Sequence, residues 1–132
     1  MSVFALVDTN IILDLLTKNP VWCEVSKALL DENSNYVLSI NPIIFGELSA
    51  GFDRIESLQA STKLFHRLPL PYEAAFLAEK VFLLYKSQGG AKSRPLPDFL
   101  IGAHASILGI PLLTRDTHRY AYYFPKLRLI VP

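Results

Sequence analysis

Apolar residues come in short bursts along this chain, and their spacing sets out its elements. Val3-Phe4-Ala5-Leu6-Val7 is a compact apolar run that stops at an acid, Asp8. A run this short, bounded by polar residues, reads as a buried strand. Residues 11–16 follow as a short amphipathic helix. Asn19-Pro20 supplies a cap and a first-turn proline, so a second helix is expected over residues 20–30. After a polar stretch at 31–35, Tyr36-Val37-Leu38-Ser39-Ile40 has the β-branched and aromatic content of a strand. Asn41-Pro42 repeats the cap-and-proline signal and opens a third helix reaching Ser49. Mixed polar and apolar positions predict a fourth helix over residues 53–65. Arg67-Leu68-Pro69-Leu70 reads as an edge strand, where proline is tolerated.

Residues 72–86 make the longest periodic stretch, with Ala75, Phe76, Ala78, Val81, Phe82 and Tyr85 at helical intervals. Gly89-Gly90 ends it, and residues 91–97 form a basic, proline-containing loop. Residues 98–108 form a helix of small residues closed by Gly109. Residues 110–113 and 127–131 are the last strands, with a turn at 114–116. Strands alternate with helices throughout, which predicts an α/β fold with a mainly parallel central sheet and helices on both faces. No repeat, low-complexity tract or linker divides the 132 residues, a length that suits a single domain over 1–132.

Composition adds a partner to this picture. The chain is 51% hydrophobic and 19% charged, against about 25% charged in typical soluble domains. Its mean hydropathy is +0.28. Part of the apolar surplus is therefore expected to meet another protein. No apolar run reaches the roughly 18 residues of a membrane span and no signal peptide is evident. The single cysteine, Cys23, excludes an internal disulfide and suits a reducing compartment, so the cytoplasm is the expected location. The net charge of +1 does not announce nucleic acid. Most lysines and arginines lie in the second half, however, and acids gathered in one pocket would leave the remaining surface more basic than the total.

Four acids occupy the positions where a parallel sheet presents its functional edge. Asp8 ends the first strand, Glu47 lies on the helix after the second, Asp98 opens a helix, and Asp116 follows the strand ending at Leu113. Like charges about 4 Å apart repel by about 4 kcal/mol at an effective dielectric near 20, so such a group calls for a cation. Mg²⁺ takes oxygen ligands and keeps several waters. It can lower the pKa of a bound water and offset charge on a phosphoryl oxygen. The chemistry indicated is metal-assisted phosphodiester hydrolysis. Asn10 and Thr114 are placed to orient a carboxylate or a bound water. Lys92, Arg94 and Arg115 lie beside Asp98 and Asp116 and are candidates for phosphate contact.

These residues carry a resemblance. Val7-Asp8-Thr9-Asn10-Ile11-Ile12-Leu13-Asp14 looks like the opening motif of the PIN-domain ribonucleases. Ile40-Asn41-Pro42-Ile43-Ile44-Phe45-Gly46-Glu47-Leu48 resembles their second motif, Pro97 to Ala105 is similar to the third, and Leu113-Thr114-Arg115-Asp116 to the fourth. Order and spacing agree across nearly the whole chain, and the compact form looks like the VapC toxins of toxin–antitoxin pairs. The resemblance implies a three-layer α/β/α fold and endonucleolytic RNA cleavage dependent on Mg²⁺ or Mn²⁺. It implies Asp8, Glu47, Asp98 and Asp116 as catalytic metal ligands, a homodimer, and an antitoxin protein laid over the helices near the site.

Two other readings stand beside it: a receiver-like module that accepts a phosphoryl group at Mg²⁺, and a degenerate PIN fold that binds RNA without cutting it. Several side chains have plainer expectations. His104 is expected as a hydrogen-bonded core histidine and Asp14 as an outward-facing helix residue. Tyr120, Tyr122, Tyr123 and Phe124 could stack on bases, and packing under the last strand is the stronger expectation. Trp22 is either a helix staple or an interface anchor. Gly46 is expected to permit close helix packing.

Overall fold

The computed structural model describes residues 3–90 and 96–132. Lys92 and Arg94 lie outside the described residues. Five short strands, β1 (Phe4–Val7), β2 (Val37–Ile40), β3 (His66–Arg67), β4 (Leu112–Leu113) and β5 (Leu129–Ile130), form one sheet in the order β3-β2-β1-β4-β5. All four pairings are parallel. The connecting helices are α1 (Thr9–Leu16), α2 (Cys23–Glu32), α3 (Pro42–Leu48), α4 (Ile55–Ser61), α5 (Tyr72–Ser87), α6 (Pro97–Leu108) and α7 (His118–Tyr123).

Right-handed crossovers fix the layers. The chain steps from β1 to β2 to β3 in one direction, which puts α1 to α4 on one face. It then crosses to β4 and β5 on the far side of β1, which puts α5 to α7 on the other. Packing agrees: α1 lies against α2 and α3, and α6 against α5 and α7. A receiver-like sheet has the order 2-1-3-4-5, and this chain has a different one, which removes that reading. Strand β1 is buried through Ala5, Leu6 and Val7, as a strand covered on both faces must be. Strand order reverses at β1, between β2 and β4, and a crevice opens at such a switch point beyond the strands' carboxyl ends.

Local chemistry explains the helix limits. Asn41 caps α3, its Oδ1 accepting from Ile44 N at 2.9 Å, with Pro42 in the first turn. Asn19 accepts from the backbone N–H of both Val21 and Trp22, so regular helix begins only at Cys23, three residues after the expected start. Helix α6 ends at Gly109, whose φ of 66° needs a residue without Cβ strain. Helix α4 is shorter than the expected 53–65, and α7 was not expected at all. The expected edge strand at 67–70 is realised as His66–Arg67, with Leu68 N still bonded to Ile40 O. Gly46 does not serve close packing, since a Cβ there would meet nothing within 4 Å. The tight glycine within a helix is Gly102, where a Cβ would fall 2.5 Å from the Phe124 ring. Among the described residues no helix is long and apolar enough to cross a membrane.

Candidate active site

Sheet register builds the centre of the site. Val7 pairs with Leu113, so the next residues, Asp8 and Thr114, emerge side by side at the switch point. Asp8 is 4% exposed. Its Oδ1 accepts from Thr9 N at 2.8 Å, capping α1. Its Oδ2 accepts from Thr114 Oγ1 at 2.7 Å, Tyr120 OH at 3.1 Å and Asn10 Nδ2 at 3.2 Å. A carboxylate offers about four lone-pair sites, so Oδ1 keeps one direction open while Oδ2 is crowded. Thr114 Oγ1 also accepts from Asp116 N at 3.0 Å, and Asn10 Oδ1 accepts from Arg115 N at 3.2 Å. Asn10 and Thr114 thus bind Asp8 on one side and the 114–116 turn on the other.

Thr9 carries the network to the second strand's helix. Its hydroxyl donates to Glu47 Oε1 at 2.5 Å, so one residue supplies N–H to Asp8 and O–H to Glu47. Asp98, in the first turn of α6, accepts at Oδ2 from Arg119 Nη1 at 2.8 Å. Burial pushes the Asp8 carboxyl up from 3.8 to about 6, and the nearby Asp98 charge pushes the same way. Glu47 is raised by burial and again by Asp98. Asp8, Glu47 and Asp98 are therefore brought within electrostatic reach of one another. Asp116 sits further round, its charge felt at Tyr120. Its carboxylate has no hydrogen-bond partner among the described residues.

Three contributors escaped the sequence reading. Tyr120 is fully buried, and burial, with the charges of Asp8 and Asp98, drives its phenol far up; it stays a proton donor to Asp8. The aromatic cluster was expected to pack: Tyr120 and Phe124 are buried and Tyr122 is exposed, and Tyr120 also donates its hydroxyl to Asp8. Arg119 neutralises Asp98. Asp14 faces inward rather than outward, at 2% exposure, because Ser26 Oγ donates to it at 2.6 Å and Arg115 pairs with it. Only a spacing of 101 residues separates Asp14 from that arginine in sequence, and no local pattern reveals it. His104 is buried as expected. Asn41 Oδ1 is already occupied by Ile44 N, so its amide nitrogen donates to His104 Nδ1 at 2.9 Å. That leaves the imidazole hydrogen on Nε2, which has no partner among the described residues.

By sequence, residues 5–125 match the PIN domain. The chain belongs to the PIN domain family. The PIN-domain fold is shared with VapBC2 from Rickettsia felis bound to a promoter DNA fragment, at TM-score 0.71 and 20% identity over 98% of both chains. VapBC-1 from nontypeable Haemophilus influenzae gives TM-score 0.71 and 23% identity over 96% of both chains. FitAcB from Neisseria gonorrhoeae gives TM-score 0.69 and 23% identity over 96% of both. At these identities the likeness is one of fold. Among curated proteins, none matches the chain.

The donors at this PIN-domain site are carboxylates and hydroxyls, without thiol or imidazole. That set suits a hard cation. Two carboxyls raised toward neutrality by burial and a third charge are a group that a cation would relieve. Among the described residues no three His, Cys, Asp or Glu side chains lie close enough together, as placed, to hold a metal ion.

Proposed function

We propose that this PIN domain is an endoribonuclease of the VapC type, the toxin of a toxin–antitoxin pair acting in the cytoplasm. In this reading Asp8, Glu47, Asp98 and Asp116 hold Mg²⁺ or Mn²⁺, and Asn10 and Thr114 support them. The observation that supports it is the Thr9 bridge, which donates its N–H to Asp8 and its hydroxyl to Glu47, two carboxyls that burial and then the Asp98 charge raise. A metal ion bound there would offset charge on a phosphodiester and lower the pKa of a water.

The chain's own residues supply the rest. Thr9 and Thr114 both donate their hydroxyl hydrogen to a carboxylate, and among the described residues no histidine hydrogen-bonds to either. In this reading both hydroxyls serve to hold carboxylates and water is the attacking group. Four donors fix the Asp8 carboxylate, which spares it reorganisation during the reaction. Arg119, at the mouth of the acid cluster, is a cation that a phosphate can meet. Lys92 and Arg94 are assigned to the RNA backbone on sequence grounds.

Exposed apolar side chains support partner surfaces. Tyr72, Phe76 and Leu83 project from α5 at helical spacing, and a homodimer and an antitoxin would cover such faces. The test is cleavage of RNA by the purified chain with Mg²⁺ or Mn²⁺, stopped by chelation and abolished by Asp8→Asn. An Asp8→Asn variant that cuts at the unaltered rate overturns the assignment.

A further inference from the structure

We propose that Arg115 is a positioning residue, which pins the turn carrying Thr114 and Asp116 onto helices α1 and α2 and so sets the geometry of the acid cluster. The proposal rests on the ribonuclease reading for its catalytic consequence and on geometry for the clamp itself.

Arg115 Nε donates to Asp14 Oδ2 at 2.8 Å and Nη2 donates to Asp14 Oδ1 at 3.0 Å. This is the two-pronged fork that arginine makes and lysine cannot. The guanidinium carbon also lies 4.6 Å from the centre of the Trp22 ring. Asp14 belongs to α1, Trp22 precedes α2, and Ser26 Oγ on α2 donates to the same Asp14 oxygen at 2.6 Å. Trp22 is itself held by its N–H bond to Asn19 Oδ1, and Asn19 N donates to Asp14 O at 2.9 Å. One closed circuit therefore joins α1, the start of α2 and the 114–116 turn.

The turn's other supports are the hydrogen bonds of Thr114 and of the Arg115 backbone, and among the described residues the guanidinium fork alone ties it to Asp14 on α1 and so to α2. The turn lies between β4 and α7 with no regular structure of its own, yet it holds Thr114 against Asp8 and carries Asp116. Arg115 is the residue between them, and its own N–H reaches Asn10. An ion pair with one buried partner is a poor stability device, since apolar residues of similar volume can serve as well. What the fork and the ring face provide is orientation. With Nε and Nη2 committed to Asp14, two of the guanidinium's three nitrogens are already engaged within the chain.

The experiment uses two variants of the full chain. Asp14→Leu with Arg115→Met removes both charges together, leaving no buried ion unpaired. Arg115→Lys keeps the charge and loses the fork and the stack. In both, amides of residues 114–117 should exchange about tenfold faster than in the wild type while the strands keep their protection. Trp22 is the only tryptophan, so its fluorescence should shift in both as the guanidinium leaves its face. The rate constant kcat on RNA should fall about tenfold or more with KM unchanged, the mark of lost alignment. Unchanged exchange at 114–117 overturns the clamp. A raised KM with unchanged kcat makes Arg115 a phosphate contact and also overturns it, as does full activity in a double variant of restored stability. A wild-type chain that cleaves no RNA defeats the ribonuclease reading alone, and the exchange and fluorescence measurements then decide the clamp.

Discussion

The Tyr120 hydroxyl donates to Asp8 Oδ2 at 3.1 Å across 112 residues of sequence, tying the first turn of the site to a helix near its end. The bond favours the ionised carboxylate and works against the burial that raises it. Tyr120→Phe removes the hydroxyl and keeps the ring in its fully buried place. The loss should cost about 1 kcal/mol of stability. It should also raise the Asp8 pKa further, moving the acid limb of the cleavage profile to higher pH. A pH–rate profile checks this: activity should fall several-fold near pH 6 and recover toward pH 8.

Asp8 itself imposes a pH dependence on the metal-free fold. Its folded pKa of about 6 stands above the ordinary 3.8, so between those values the native state keeps a proton that the unfolded chain has released. The stability this gives is fully present below pH 3.8 and lost as pH rises through 6. At 1.36 kcal/mol per pH unit the loss is about 3 kcal/mol. Asp8→Asn cannot ionise, but its amide NH₂ replaces an oxygen that accepts from a backbone or side-chain donor, at a cost of about 1 kcal/mol. The variant should be more stable than the wild type by about 1–2 kcal/mol above pH 7 without metal, and no more stable near pH 4. Denaturant melts at the two pH values, with chelator present, test the crossover.

Much of this arrangement was legible in the sequence because strands and caps speak locally. Val3 to Val7 ending in Asp8, Asn41-Pro42 opening α3, and Gly109 closing α6 each carry their own short-range signal. Those signals placed Asp8, Glu47 and Asp98 at one end of a parallel sheet. What stayed hidden depends on contacts between distant segments. The burial of Asp14 depends on Arg115, and the role of Tyr120 depends on which face of a six-residue helix turns to the sheet. A helix that short has too few positions to show a period, so its aromatic residues read only as packing or base stacking. Gly46 and Gly102 were indistinguishable by sequence for the same reason, since each sits inside a helix and only the neighbours across the gap differ.

That difference makes opposed predictions for one substitution. A Cβ at Gly46 has open space around it, so Gly46→Ala should stabilise α3 by about 0.5–1 kcal/mol through helix propensity. A Cβ at Gly102 would press on the buried Phe124 ring. Overpacking there should outweigh the same propensity gain and leave Gly102→Ala about 1–3 kcal/mol less stable. Paired thermal melts of the two variants decide it, and a stabilised Gly102→Ala would contradict the packing of α6 on Phe124.

Arg119 places a fixed cation where the proposed metal would sit. Its Nη1 holds Asp98 Oδ2 at 2.8 Å, and both side chains are about one-third exposed or less, at 34% and 27%. A guanidinium and a divalent ion compete for the same carboxylate, and the guanidinium's charge also repels the ion. Arg119→Gln removes both effects while leaving an amide that can still donate to Asp98. Because water screens a partly exposed pair, the gain should be modest, about three- to tenfold tighter Mn²⁺ binding. Titration calorimetry measures it directly, and the metal-induced rise in melting temperature should grow in step. Cleavage should move the other way, since the arginine freed from Asp98 by a bound ion is the group left to meet the phosphate. Tighter metal binding with slower cleavage would give Arg119 both roles; weaker metal binding would show that it supports Asp98 as a ligand instead of competing for it.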